Sequence, residues 1–205
     1  MTKPENINNL HSKVREIILE ARSAVSRTVN FVSVIQNWEI GRMIVEDEQG
    51  GEEKAEYGKF VIKELSVKLT EEFGGSYSVS NLKRYRQFYL TFPISATLRH
   101  QFKIADNNEN KTSAALWHQS SVEIIKAVQT KSHPLFQIIS PYLSWSHYKS
   151  LITIENPKAR EFYMNEAVEN NWGTRALDRQ INSLYYERIL SSQDKKPVIN
   201  EMKEK

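Results

Sequence analysis

Residues 57–92 read YGKFVIKELSVKLTEEFGGSYSVSNLKRYRQFYLTF, and this stretch decides the fold class. Tyr57, Val61, Leu65 and Leu69 recur at i, i+4 steps, which gathers them on one helical face, so a helix is expected from about Ala55 to Phe73. Gly74 and Gly75 then supply the positive φ favoured just past a helix C-terminus. Ser78 or Ser80 can cap a following helix. That helix sets Leu82, Tyr85, Tyr89 and Phe92 on one side and stops before Pro93. The pattern is helix, short glycine turn, helix. On the second helix Lys83, Arg84 and Gln87 lie opposite the apolar stripe, with Arg86 beside them. In a helix-turn-helix this is the helix that enters the major groove.

Upstream, Val14, Ile17, Ile18, Ala21, Val25, Val32, Ile35 and Trp38 keep helical spacing, which predicts one long helix from about Ile7 to Glu46. Phe31, Val34, Ile40 and Ile44 make it apolar on more than one side toward its end. A helix of this kind serves as a spine or contributes to a homodimer. The acidic, glycine-containing stretch Glu46–Glu53 ends it.

Downstream, the polar run of residues 105–113 is the expected surface loop and the place for any subdivision. A short helix is expected over Ser121–Thr130, and Ser144 is expected to cap another over Trp145–Glu155. Asn156-Pro157 reads as a cap with proline in the first helical position. The helix it starts is expected to bury Ala159, Phe162, Tyr163 and Val168. Asn171-Trp172-Gly173-Thr174 breaks that helix, and Thr174 is expected to cap a last one running to about Ser191. The two breaks resemble each other in pairing an aromatic residue with glycine (Phe73-Gly74, Trp172-Gly173), as a duplicated helix-turn-helix would. The fold class is therefore all-α, with a long N-terminal helix and one or two helix-turn-helix-like units over residues 5–192. Residues 193–205 form a polar tail.

The last helix carries a second basic face. At 100° per residue Arg175, Arg179, Asn182 and Tyr186 share an arc, with Leu177, Ile181 and Leu184 opposite. Arginine can pair with phosphate or guanine and asparagine with adenine, so this face suits double-stranded DNA. The plainer alternative is a solvated face whose arginines pair with Asp178 or Glu187. Charge is unevenly spread: residues 46–76 hold nine acids against four bases, and residues 77–105 hold five bases and no acid. A local basic segment favours an anionic partner more than the net charge of +3 does.

No catalytic, metal or cofactor site emerges. The chain has no cysteine, which removes thiolate ligands and nucleophiles and fits a reducing, cytoplasmic setting. The N-terminus lacks a signal peptide's apolar core, and no apolar run reaches the roughly 18 residues a membrane span needs. His11, His100, His118, His133 and His147 show no HExxH-like spacing and read as surface or packing residues. The Glu-x-Lys triplets at Glu52–Lys54 and Glu201–Lys203 fall in a loop and in the tail, where no strand presents them to a metal.

Several of these segments together resemble the YhcG-like family. They include Trp38-Glu-Ile-Gly-Arg42, Ala55-Glu-Tyr-Gly58, Phe73-Gly74, Asn81-Leu82, Leu143-Ser-Trp-Ser-His-Tyr148, Phe162-Tyr163, Arg179-Gln180-Ile181 and Tyr186-Glu-Arg188, in order over about residues 10–195. The resemblance implies a bacterial protein in which a helical, DNA-binding N-terminal domain precedes a nuclease domain of the PD-(D/E)XK type. The Asp…Glu-x-Lys pattern of that nuclease matches no position here. The resemblance thus implies a non-catalytic targeting half, able to assemble with a separately encoded nuclease domain, and supplies no catalytic residue to carry over.

Overall fold

The computed structural model describes residues 3–50, 55–93 and 138–192. The expected loop at 105–113, the short helix at Ser121–Thr130 and the tail lie outside these residues, as do both Glu-x-Lys triplets. The described residues form helices and turns with no strand among them. In chain order they are α1 (Lys3–Gly50), α2 (Ala55–Phe73), a 3-10 turn (Gly75–Tyr77), α3 (Val79–Thr91), α4 (Trp145–Leu151), α5 (Pro157–Glu169), α6 (Thr174–Asn182) and α7 (Tyr185–Ser191).

Helix α1 has 48 residues, roughly 72 Å at 1.5 Å per residue. Its halves differ. Residues 7–27 are exposed on every side, whereas Phe31, Val34, Ile35, Trp38, Ile44 and Val45 are buried. The apolar character on several sides near Phe31–Ile44 thus belongs to the chain's own core: α3 covers this half, with α4 and α2 beside it. Gly41 permits the closest approach. A Cβ there would lie 2.0 Å from the Tyr85 carbonyl oxygen and 2.6 Å from its carbon. Both are backbone atoms that cannot swing aside, so only glycine fits this crossing of α1 and α3.

Helix α3 buries Leu82, Tyr85 and Tyr89 as its stripe requires, and Phe88 as well; Phe92, its C-cap, is also buried. The Trp38 indole N–H donates to the Phe92 carbonyl at 2.9 Å, satisfying an orphan acceptor at the end of α3. Trp38 also meets Tyr89 edge-on at 5.0 Å between ring centres. On α2 the most buried apolar side chain is Ile62, one position from the expected stripe, with Val61, Leu65 and Leu69 half-buried.

Helix α4 joins the two helix pairs. Phe88 packs on Trp145 and on Tyr148 at 5.3 and 4.9 Å. The Tyr148 hydroxyl accepts from the Ser140 N–H at 2.7 Å. Burial raises the Tyr148 pKa well above the usual phenol range, the Ser140 bond opposing this, so the group stays protonated. His147 Nδ1 accepts from the Ser144 N–H at 3.1 Å, which leaves Nε2 as the donor to the Trp172 carbonyl at 2.9 Å. This histidine is a packing residue that ties the start of α4 to the turn between α5 and α6. Helix α4 ends at Leu151, short of the expected Glu155, because Ile152–Ile154 close into tight turns.

At α5, Asn156 caps through its side chain and Pro157 takes the first helical position, as the sequence requires. Ala159 and Tyr163 are buried, and Phe162 and Val168 pack partly buried against the core. Asn171 ends the helix in the left-handed region at φ 52°. Trp172 N–H then reaches the Ala167 carbonyl at 2.9 Å and Asn171 N–H the Val168 carbonyl at 3.4 Å, the paired bonds of a Schellman motif. Two expectations are corrected beyond this point. Gly173 is the N-cap of α6 and Thr174 its first residue, without a side-chain cap. The last helix is two helices, broken at Leu184, which adopts φ 53°. There the Tyr163 hydroxyl accepts from the Tyr186 N–H at 3.0 Å, supplying tertiary compensation for the interrupted ladder.

Candidate nucleic-acid interface

The first unit is α2, the 3-10 turn and α3. Gly74 takes φ 86°, as its place past α2 demands. The Asn81 amide and the Tyr85 hydroxyl both donate to the Ser76 carbonyl, at 3.0 and 3.1 Å, and Gln36 of α1 donates to the Tyr77 hydroxyl at 2.8 Å. The turn is therefore fixed from both sides, and with it the aim of α3. Ser78 is the N-cap position, acting through its backbone carbonyl without a side-chain cap bond.

Helix α3 docks by its aromatic side and leaves Lys83, Arg84 and Gln87 exposed. Arg84 donates to Asn81 at 3.2 Å and Gln87 to Thr91 at 3.2 Å, contacts along the helix surface that a ligand can replace. Arg86 is different. Its Nε donates to both carboxylate oxygens of Glu48 on α1, at 3.0 and 2.7 Å, and its side chain is 38% exposed. The ion pair clamps α3 to the end of α1, so Arg86 has a structural duty that Lys83 and Arg84 lack. The acidic and basic segments of the sequence meet here.

The second unit is α5, the Asn171 turn and α6. Arg175, Arg179 and Asn182 are exposed on α6, Leu177 is fully buried and Ile181 half-buried. Among the described residues neither arginine forms a salt bridge. Asp178, a candidate partner in the plainer reading, instead accepts a short hydrogen bond from the Ser150 hydroxyl and ties α6 to α4. The break at Leu184 removes Tyr186 from the arc, since it sits on α7, half-buried, with its ring 5.3 Å from Phe162. Leu184 is exposed and takes no part in the docking stripe.

The two turns are built differently: Gly74 is left-handed, whereas Gly173 is extended at φ −73° and Asn171 makes the left-handed step. Lys149 adds an exposed cation on α4, between the two units in the packing order. Its helix carries no helix-turn-helix pattern, so no signal in the sequence singles it out. Among the described residues no three or more His, Asp or Glu side chains gather as a metal site would require. No helix of the described residues is long and apolar enough to cross a membrane. The arrangement leaves two sets of basic and amide side chains exposed, Lys83, Arg84 and Gln87 on α3 and Arg175, Arg179 and Asn182 on α6.

The DUF1016 N-terminal domain model matches residues 13–188. Among curated proteins, the chain is 34% identical over 195 residues to a protein of Escherichia coli (strain K12) named "Putative nuclease YhcG". That match covers 94% of this chain and 49% of the relative, so the chain spans about half the length of the curated relative it matches. No solved structure matches the chain. With most of its length matched in one continuous stretch, the chain belongs to the DUF1016 N-terminal domain family.

Proposed function

We propose that this chain is a non-catalytic, double-stranded-DNA-binding helical module, the targeting half of a nuclease of the YhcG kind. The observation that carries the reading is a repeated arrangement. In each of two helix-turn-helix-like units the second helix is fixed by a buried apolar side and leaves cations in water, Lys83 and Arg84 on α3 and Arg175 and Arg179 on α6. Long side chains held at their base by a rigid helix can reach phosphates and base edges. Gln87 and Asn182 stand beside them with amide groups able to pair with adenine. Arg86 contributes through its clamp on Glu48, holding α3 at its angle. Tyr186 supports α7 from the core side. Cleavage, in this reading, belongs to a nuclease domain outside the described residues or encoded separately.

The test is fluorescence anisotropy with a labelled duplex from low to physiological salt. Lys83→Ala with Arg84→Ala, and separately Arg175→Ala with Arg179→Ala, should each weaken binding, by roughly 1–3 kcal/mol where an arginine reads a base. All four side chains are exposed, so both double variants should stay folded. Equal, weak binding by the wild type and both variants would end the DNA reading. A protein-interaction role would then stand alone, and one feature of α1 favours such a role in its own right.

A further inference from the structure

The exposed half of α1 is patterned for a partner. Ile7, Leu10, Val14, Ile17, Ala21 and Ala24 alternate at three- and four-residue steps, and Thr28, Phe31, Ile35 and Trp38 continue the alternation into the buried half. This is an unbroken heptad a/d seam. Its second half is covered by the chain's own core, while in its first half Ile7 is 63%, Leu10 62% and Ile17 65% exposed. Most helical stability in proteins comes from packing an apolar face, which this arm does not find in its own chain among the described residues.

We infer that the arm pairs with the arm of a second copy of this chain, antiparallel and centred between Arg15 and Glu16. The seam carries bulky residues at one end and alanines at the other. In the antiparallel register Ile7 faces the second copy's Ala24, Leu10 its Ala21, and Val14 its Ile17, so each alanine meets an isoleucine or a leucine and the central layers pair valine with isoleucine. A parallel register would stack alanine on alanine and leave voids that interiors avoid. The flanking g positions agree: Lys13 lies beside Glu20 of the second copy, and Glu20 beside its Lys13, opposite charges in both places. The body agrees too. Beyond Thr28 the seam is occupied by the chain's own helices, so a parallel partner would run into them. An antiparallel partner sets residues 7–24 against the same residues of the second copy, an overlap of roughly 27 Å that stops short of Thr28. The pairing is independent of DNA and holds or fails without it.

The absence of cysteine makes the register directly testable by disulfide trapping. Full-length chains carrying Leu10→Cys and, separately, Ala21→Cys are mixed and mildly oxidised, with light scattering on the wild type. The expected result is a dimer mass and a disulfide between the two variants, with little linkage within the Leu10→Cys chain alone. Lys13→Glu or Glu20→Lys alone should weaken the dimer, and the two together should restore it. Linkage of Leu10→Cys to itself means a parallel pair and overturns the register. A monomer at high micromolar concentration, whether the arm is bare or covered by residues 94–137, overturns the proposal. These positions lie outside the core, so unchanged near-ultraviolet circular dichroism from Trp38, Trp145 and Trp172 certifies that each variant is folded.

Discussion

The two halves of α1 share one rhythm and meet different fates. Ile17 and Ile35 are the same residue type on the same apolar seam of one helix, yet Ile17 is 65% exposed and Ile35 is 2% exposed. Helical periodicity says which side chains share a face. What covers that face is decided by the rest of the chain. In the second half Gly41 lets α3 approach and the aromatic side of α3 seals the seam; in the first half no described element does so.

The sharpest way to break this contrast is to place a carboxylate at each isoleucine. Ile35→Asp buries a charge among Phe31, Trp38 and the α3 aromatics and should cost more than about 4 kcal/mol, enough to unfold a marginally stable domain. Ile17→Asp, at dilute concentration where the chain is monomeric, should leave the body's unfolding free energy within about 0.5 kcal/mol. Urea titrations followed by tryptophan fluorescence give both values. Similar losses at the two sites would mean that the arm is packed against the body.

Gly41→Ala probes the same contrast with a single methyl. A Cβ 2.0 Å from a backbone carbonyl oxygen cannot be relieved by a rotamer change. The helices must separate, at a cost of about 3 kcal/mol. An alanine at an exposed arm position such as Ser23 should instead be neutral or slightly stabilising, by a few tenths of a kcal/mol. A tolerated Gly41→Ala would contradict the close crossing of α1 and α3.

A smaller effect of opposite sign is expected at the α6–α7 break. Leu184 holds a left-handed conformation that costs a non-glycine residue about 1 kcal/mol or more, and its side chain is exposed. Leu184→Gly should raise stability by up to about 1 kcal/mol, whereas Leu184→Val should lower it. Thermal melts of both variants decide it. Destabilisation by glycine would mean that the Leu184 side chain contributes packing that outweighs the strain.

These sites also mark where the sequence was readable. The α2–turn–α3 hairpin and the Asn156-Pro157 start were legible because their signals are local: helical spacing, a left-handed glycine, a capping amide. The break at Leu184 was not, because leucine has no preference for that conformation and the compensating bond comes from Tyr163, distant in sequence. Arg86 read as a groove residue by its position alone, and its engagement by Glu48 is visible only once α1 and α3 cross. The cations at Lys83, Arg84, Arg175 and Arg179 could be placed on exposed faces from the sequence because each stands opposite an apolar stripe in its own helix.

If the proposed function holds, these body cations engage DNA and the charged arm does not. The dependence of duplex affinity on salt separates the two. It is measured for the wild type, for Lys83, Arg84, Arg175 and Arg179 all changed to alanine, and for a variant neutralising Arg15 and Arg22, arm cations outside the proposed pairing seam. Each phosphate contact contributes about 0.9 to the slope of log affinity against log salt. The expected slope is flatter by roughly 2–4 for the body variant and unchanged for the arm variant. The wild-type slope in the body variant, or the whole loss in the arm variant, would contradict DNA binding through the body.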